Sequence, residues 1–220
     1  MSDLAPALNK NGQVLGAKGR RSRERIVAET VALLAEGPVT DLNMALIVRR
    51  AGITPAAYYL YFDDVGEAVL AALEAPTQEF IDLGALAARP WPPGQVYDCA
   101  LTFVNAYFAV WKRHMAVLRA RNVLADAADR RFEAIRAKAS TTIVAALTEK
   151  LAARPPGGHD AETSPRMMTN ILLTAIERSA IVMALDLHGR SVEAEETSRA
   201  LARLLELALE TAKPSTAPLN

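Results

Sequence analysis

Apolar residues recur at steps of three and four along most of this chain, and strand-like alternation does not occur. That period lays side chains on one face of a helix, whereas a half-buried strand needs a period of two. The first stripe, Ile26, Val27, Thr30, Val31, Leu33 and Leu34, predicts an amphipathic helix from Ser22 to Glu36. Ser22 is its expected cap, and Gly37-Pro38 ends it. Met44, Ile47, Val48 and Ala51 form a second, shorter stripe, with Asn43 as cap and Gly52 as the turn residue. Thr54 then caps another short helix whose first residue is Pro55, where a missing N–H costs nothing. Tyr58 and Phe62 share its inward side, leaving Pro55, Ala56, Tyr59 and Leu60 on or near the outward side. Two helices this short cannot fold alone, and the Ser22–Glu36 helix is the third they need. The spacing fits a helix-turn-helix and equally an ordinary helical hairpin.

After Phe62 the pattern remains helical. Asp64 followed by Glu67 is a capping-box variant, and Val65, Val69, Ala72 and Leu73 carry a helix toward the breaker Arg89-Pro90-Trp91-Pro92-Pro93-Gly94. From Gln95, one stripe (Tyr97, Leu101, Val104, Phe108, Trp111) and a second (Phe103, Tyr107, Val110) make a helix apolar on two sides, hence buried between others. A shorter segment spans Met115–Leu124, and a long helix spans Ala127–Ala153. Residues 154–164 read as a loop, Ser164-Pro165 starts a largely apolar helix through Arg166–His188, and Gly189 ends it. The last helix, Ser191–Lys213, has Leu201, Leu204, Leu205 and Ala208 as its expected inner face and stops at Pro214. The fold class is therefore all-α: a three-helix head followed by a larger helical body.

Composition narrows the setting. The 220 residues are 51% hydrophobic and 23% charged, with zero net charge. No stretch is expected to reach the ~18 consecutive apolar residues of a membrane span, and the first 21 residues carry no apolar signal core. One cysteine, Cys99, cannot form an internal disulfide, which suits a cytoplasmic setting. The charge is uneven: residues 1–62 hold eight Lys/Arg against five Asp/Glu, and six of those eight lie between Lys10 and Arg25. A basic end on an acidic body suits an N-terminal nucleic-acid contact, although a solvated basic tail looks the same in sequence.

Catalytic signals are weak. His114, His159 and His188 are scattered, without the convergence a metal needs, so no metal or cofactor is expected. Cys99 has no visible base partner, and no phosphate-cradling glycine motif occurs; an enzyme is not the reading. The signals for a pocket are subtler, and core packing accounts for most of the bulky residues that could line one. Phe103, Tyr107, Phe108, Trp111 and Met115 gather bulky side chains, with Asn105 among them. Glu177, in the run containing Leu173 and Ile176, is a carboxylate that must be paired or reach a polar cavity. Its neighbour Arg178 points about 100° away on a helix.

The blocks RRSRERIVAETVALLAEG, LNMALIVRRAGIT, YYLYF and EAVLAAL, over residues 20–73, resemble the N-terminal signature of TetR-family transcriptional regulators. The resemblance implies that Thr54 and Tyr59 contact phosphates at the two ends of a recognition helix, that Ala56 and Ala57 face base edges, and that Phe62 anchors the helix. Lys18, Arg20, Arg21, Arg23, Arg49, Pro55 and Tyr61 complete the candidate DNA-contacting set. It implies a palindromic double-stranded operator, a homodimer formed through the last two helices, and a small, largely apolar effector enclosed by Phe103, Asn105, Tyr107, Phe108, Trp111, Met115, Leu173, Ile176 and Glu177. The expected organisation is a tail over 1–20, a helix-turn-helix domain over 21–63, an effector-binding and dimerisation domain over 64–213, and a tail over 214–220. Two features depart from the family pattern. The lysine common after the tyrosine-phenylalanine block is absent from FDDVGEAVL, and the recognition helix holds no Arg, Lys, Asn or Gln for bidentate base contacts. Base reading then falls to backbone groups, the Tyr59 hydroxyl and apolar contact by Pro55, Ala56 or Ala57. The expected activity is a ligand-released repressor. The alternative is a helical small-molecule binding protein that has lost most of its DNA affinity.

Overall fold

A computed structural model describes residues 14–153, 163–185 and 191–209. Among them lie nine helices and no strand: α1 (Ala17–Glu36), α2 (Met44–Ala51), α3 (Pro55–Tyr58), α4 (Val65–Ala72), α5 (Glu74–Ala88), α6 (Val96–Asp126), α7 (Arg130–Ala152), α8 (Pro165–Leu185) and α9 (Ser191–Leu209), with one 3-10 turn at Val39–Asp41. The all-α expectation holds. Most of the expected loop (154–162 of 154–164), the helix end at Gly189 and the stop at Pro214 lie outside the described residues.

The chain divides into two compact units, one within Met1–Pro76 and Ala116–Arg136, the other within Thr77–Met115 and Ala137–Asn220. In the first, α1 packs on both α2 and α4. Ile26, Ile47, Val48, Ala51, Tyr58, Phe62 and Ala68 form its core. This unit reaches beyond the 21–63 span assigned to the head from sequence: α1 packs on α4 as well as on α2, and residues 116–136 belong to it too.

Several boundaries differ from the sequence reading for identifiable reasons. Helix α1 starts at Ala17, behind Gly16, which makes no side-chain cap. Ser22 is interior to the helix, its hydroxyl donating to the Lys18 carbonyl at 3.2 Å, the local bond that lets serine sit within a helix. Residues 17–20 are thus helical rather than tail. The helix after Asp64 breaks at Leu73, just before Pro76, whose missing N–H and ring are tolerated only in a first turn. The segments before and after Met115 form one helix, α6, with a kink at His114 (φ −118°, ψ 19°). There the His114 Nε2 lies 2.8 Å from Glu79 Oε1, and Arg113 pairs with the same carboxylate. The following turn rests on Ala128 at φ 64°, and Asp129 starts α7, its carboxylate accepting from the Arg131 amide at 3.0 Å.

In the second unit, Phe80 stacks on Tyr107 at 5.1 Å between ring centroids, Tyr107 on Phe103 at 6.2 Å, and Phe103 on Trp91 at 6.4 Å. Gly84 lets α5 and α7 meet closely, since a Cβ there would fall 2.4 Å from Thr142 Cβ. Helix α8 has 21 residues and is apolar enough, by length and composition, to cross a membrane, although Arg166, Glu177 and Arg178 interrupt its apolar run. Its Thr169, Leu173, Ile176 and Ala180 nevertheless form a stripe buried in the protein. In α9 the inner face is Leu201, Ala202 and Leu205; Leu204, expected there, is half exposed.

Two stability changes follow from this packing. Gly52→Ala places a side chain in the left-handed region (φ 61°), where its Cβ would meet nothing closer than an arginine tip at 3.9 Å. The cost is backbone alone, about 1–2 kcal/mol, readable by urea unfolding. Tyr107→Ala removes a ring packed against two others, and thermal unfolding should show a loss of about 3–5 kcal/mol, as for other buried aromatic truncations.

Candidate nucleic-acid interface

The turn between α2 and α3 is assembled from local bonds. Asn43 caps α2, its side-chain oxygen accepting from the Leu46 amide at 3.1 Å. Gly52 closes the helix in the left-handed conformation (φ 61°, ψ 40°), and the Ile53 amide returns to the Val48 carbonyl at 3.1 Å. The Ala51 carbonyl, one of those a helix end leaves unsatisfied, accepts from Arg25 Nη1 at 3.0 Å. Thr54 caps α3, accepting from the Ala57 amide at 3.1 Å, with Pro55 in the first helical position. Helix α3 is only four residues long; the chain continues as turns to Phe62, with the Tyr61 amide bonded to the Tyr58 carbonyl at 2.9 Å.

Tyr58 fixes this short helix. Its ring is fully buried beside Phe62, 5.7 Å between centroids, and its hydroxyl donates to the Asp64 carbonyl at 3.0 Å. Burial, reinforced by Asp64 and Glu67, pushes that hydroxyl above the ordinary phenol range, so it remains a donor. Asp64 in turn caps α4, accepting from the Glu67 amide at 2.8 Å, while Glu67 reaches back to the Asp63 amide. What this leaves outward is Thr54, Pro55, Ala56, Tyr59 and Leu60, all exposed; Ala57 and Tyr61 are half-buried, Tyr61 against the core.

The arginines divide into two groups. Arg23 pairs with Glu74 at 2.8 Å and lies over the Phe62 ring, and Arg25 holds the Ala51 carbonyl. Arg50 bridges Glu29 and Glu36, whose hydrogen bonds, Glu36 foremost, raise its pKa. These are structural. Lys18, Arg20, Arg21 and Arg49 are exposed and make no ion pair among the described residues. They are the cations available to phosphates, and Arg23 is drawn inward from the set expected.

Sequence reasoning misses two residues here. Leu60 lies near the outward side by helical period, but nothing in the sequence marks it for a role; it is 59% exposed beside Tyr59. Arg131 cannot be found locally, because its partner is 67 positions away: Nη1 reaches Asp64 at 2.8 Å, and Nη2 reaches Asp129 at 2.9 Å. The hydrogen bonds that Arg131 donates to Asp129 and then Asp64 raise its pKa, and Arg131 holds the Asp129 carboxyl below the usual range. Arg131 Nη2 also occupies space beside Gly66, where it would lie 2.8 Å from an added Cβ. An arginine thus stands at the α4 N-terminus, where the sequence lacks the family's lysine.

The residues expected around an effector lie in the second unit, in different settings. Phe103 and Trp111 have no accessible surface and Ile176 almost none; Tyr107 and Leu173 are buried; Phe108, Met115 and Glu177 are half-buried. Phe103 and Tyr107 touch directly. Asn105 is exposed, because two residues along a helix turn a side chain by about 200° from its neighbours. It does not join the aromatic group. No cluster of three His, Cys, Asp or Glu suited to a metal occurs among the described residues.

Comparison with known proteins agrees with this architecture. The family model described as "Tetracyclin repressor-like, C-terminal domain" matches residues 83–216, more than half of the chain. No curated protein matches. Two crystal structures share the fold at 17% sequence identity each. One, a TetR-family transcriptional regulator from Streptomyces coelicolor, aligns with a TM-score of 0.60 over 84% of this chain and 81% of its own. The other, a transcriptional regulator of the TerR/AcrR family from Aquifex aeolicus VF5, aligns with a TM-score of 0.55 over 84% of this chain and 98% of its own. With the helix-turn-helix described above and a body matched by the family model, the chain belongs to the TetR family of transcriptional regulators.

Proposed function

We propose that the protein is a cytoplasmic, homodimeric repressor that binds a palindromic operator and leaves it when a small, largely apolar molecule binds the body. The observation that carries this is the head: a reading segment capped at Thr54 and pinned by Tyr58, exposing Thr54 to Ala56, Tyr59 and Leu60, together with exposed cations that make no ion pair among the described residues. Lys18, Arg20, Arg21 and Arg49 supply phosphate charge. The Thr54 hydroxyl, accepting from the Ala57 amide, keeps its proton to donate to a phosphate, and the Tyr59 hydroxyl is a second donor.

The dimer rests on α8 and α9. Both bury one face within the protein, yet Met167, Ile171 and Val182 on α8, and Leu204 and Leu207 on α9, remain exposed. Exposed apolar residues grouped in this way mark an interaction surface. A two-fold would bring identical patches together and set the two heads for half-sites one helical turn apart. The effector works by population shift: it favours a conformation whose heads no longer match that spacing, and a differential affinity of about 3 kcal/mol changes occupancy more than a hundredfold. Its site is the α6 aromatic group with Phe108, Met115 and Glu177, the half-buried candidates. The protein performs no catalysis in this reading.

Selection of bound duplexes from a random-sequence pool, followed by footprinting, tests DNA binding directly. Tyr59→Phe should weaken binding to the selected site with little change in stability, since the residue is 45% exposed. Replacing Lys18, Arg20 and Arg21 by alanine should flatten the dependence of log affinity on log salt by about 0.9 for each phosphate no longer neutralised. Unchanged affinity and slope in both variants would exclude the head from DNA binding. Native mass spectrometry should show a dimer, with any effector retained from purification; Leu204→Glu with Leu207→Glu should give a folded monomer or an aggregate. A monomeric wild type at micromolar concentration would count against the assembly.

A further inference from the structure

The reading surface has an unusual chemical character. Between Thr54 and Leu60 the exposed residues are Thr54, Pro55, Ala56, Tyr59 and Leu60. Their only side-chain hydrogen-bonding groups are two hydroxyls; that of Thr54 accepts from the Ala57 amide as a cap at 3.1 Å, which leaves it a single donor. Strong discrimination between base pairs by hydrogen bonding uses the bidentate or charged groups of Arg, Lys, Asn, Gln, Asp or Glu against base edges, whereas a threonine hydroxyl serves any pair. None stands on this surface. Nearby acids are engaged within the fold: Asp64 pairs with Arg131, and Glu67 accepts from the Asp63 amide.

What the surface offers instead is apolar. Leu60 is 59% exposed and Tyr59 45%, with Pro55 and Ala56 exposed one helical turn before them. The major groove has one apolar feature, the C5 methyl of thymine, and it distinguishes thymine from every other base. The exposed cations Lys18, Arg20, Arg21 and Arg49 complement the phosphates that border such a groove. Resting on the DNA-binding role proposed above, we infer that the head reads its operator through thymine methyl groups, with Leu60 as the specificity-determining side chain and Pro55 and Ala56 as its apolar neighbours. Tyr59 anchors the backbone while its ring borders the same patch. The operator half-site accordingly carries thymine opposite Leu60.

Uracil provides the test, because it pairs as thymine does and lacks only the methyl. Each thymine of a duplex selected from a random pool is replaced by deoxyuridine, and affinities are measured for wild type and Leu60→Ala. Wild type should lose about fourfold for each methyl it buries, the equivalent of ~0.8 kcal/mol per apolar carbon, and lose nothing at thymines outside the footprint. In Leu60→Ala, whose exposed position leaves folding intact, the penalty at the thymine facing Leu60 should vanish. Equal affinity for the thymine and uracil duplexes at every position would overturn methyl reading while leaving the DNA-binding role standing. A penalty undiminished in Leu60→Ala would overturn the assignment to Leu60. Absence of binding to any duplex in the pool at low salt would instead overturn the DNA-binding role itself, and this inference with it.

Discussion

The burial of Tyr58 is the constraint on which the head depends. A helix of four residues cannot sustain itself, since nucleating a helix fixes several residues for its first hydrogen bond. Here Tyr58 supplies what the length does not. Its ring packs in the core that α1 and α2 share with Phe62, and its hydroxyl ties α3 to the start of α4 through the Asp64 carbonyl. The residue that anchors the segment inward therefore also determines which of its neighbours face outward. Tyr59 is outward because Tyr58 is inward, and the two rings meet edge to face at 5.9 Å. Rigidity of the reading surface and exposure of its apolar side chains both follow from one buried ring.

Charge follows the same division between holding and reading. The acids after Phe62 look unsuited to a phosphate-binding end when seen in sequence. In the fold, Asp64 is a helix cap and an ion-pair partner, so its charge is engaged by the α4 amides and Arg131. Arg23, Arg25 and Arg50 are likewise committed to Glu74, the Ala51 carbonyl, and the Glu29 and Glu36 pair. Such exposed pairs stabilise little individually; what they do is decide which cations are left. Of the cations in α1 and α2, Lys18, Arg20, Arg21 and Arg49 are left, toward the start of α1 and at the end of α2.

The parts of this architecture legible in the sequence are those set by bonds spanning three or four residues. Asn43, Thr54 and the Asp64–Glu67 box announce helix starts because cap and amide are neighbours in the chain. Gly52 announces the turn because the conformation there excludes most other residues. Ser22 misleads, since serine's cap bond and its bond within a helix use the same groups, and Gly16 offers no side chain to signal the true start. The break at Leu73, the kink at His114 beside Glu79 and the Arg131–Asp64 pair depend on partners distant in sequence or on the strain a proline imposes one turn back. Among candidate site residues, exposure of Pro55, Ala56 and Tyr59 follows from period alone. The separation of Asn105 from the aromatic group can be read from the helical angle, but the complete burial of Phe103 and Trp111 needs the packing of the whole unit.

That same distinction explains α8 and α9. Helix α8 carries two apolar stripes, and one side of a helical hairpin can bury only one of them. Thr169, Leu173, Ile176 and Ala180 go inward, and the Thr169 hydroxyl is satisfied there by the Pro165 carbonyl at 2.9 Å and by Thr148 at 3.1 Å. Met167, Ile171 and Val182 are then left in solvent, as are Leu204 and Leu207 once Leu201 and Leu205 of α9 turn inward. A surface helix on a monomer would place mostly charged side chains along such a stripe, whereas from Met167 to Val182 the exposed charge on this face of α8 is Arg178. A membrane helix would instead be apolar all round, without the buried stripe that α8 shares with the protein interior. Two apolar faces, one filled by this chain and one unfilled, are the pattern expected of a hairpin completed by a second copy of itself, because isologous pairing needs only one patch to be self-complementary. The unfilled apolar residues on α8 and α9 thus account for the membrane-like composition of α8, and they are the patch that the proposed two-fold would bury.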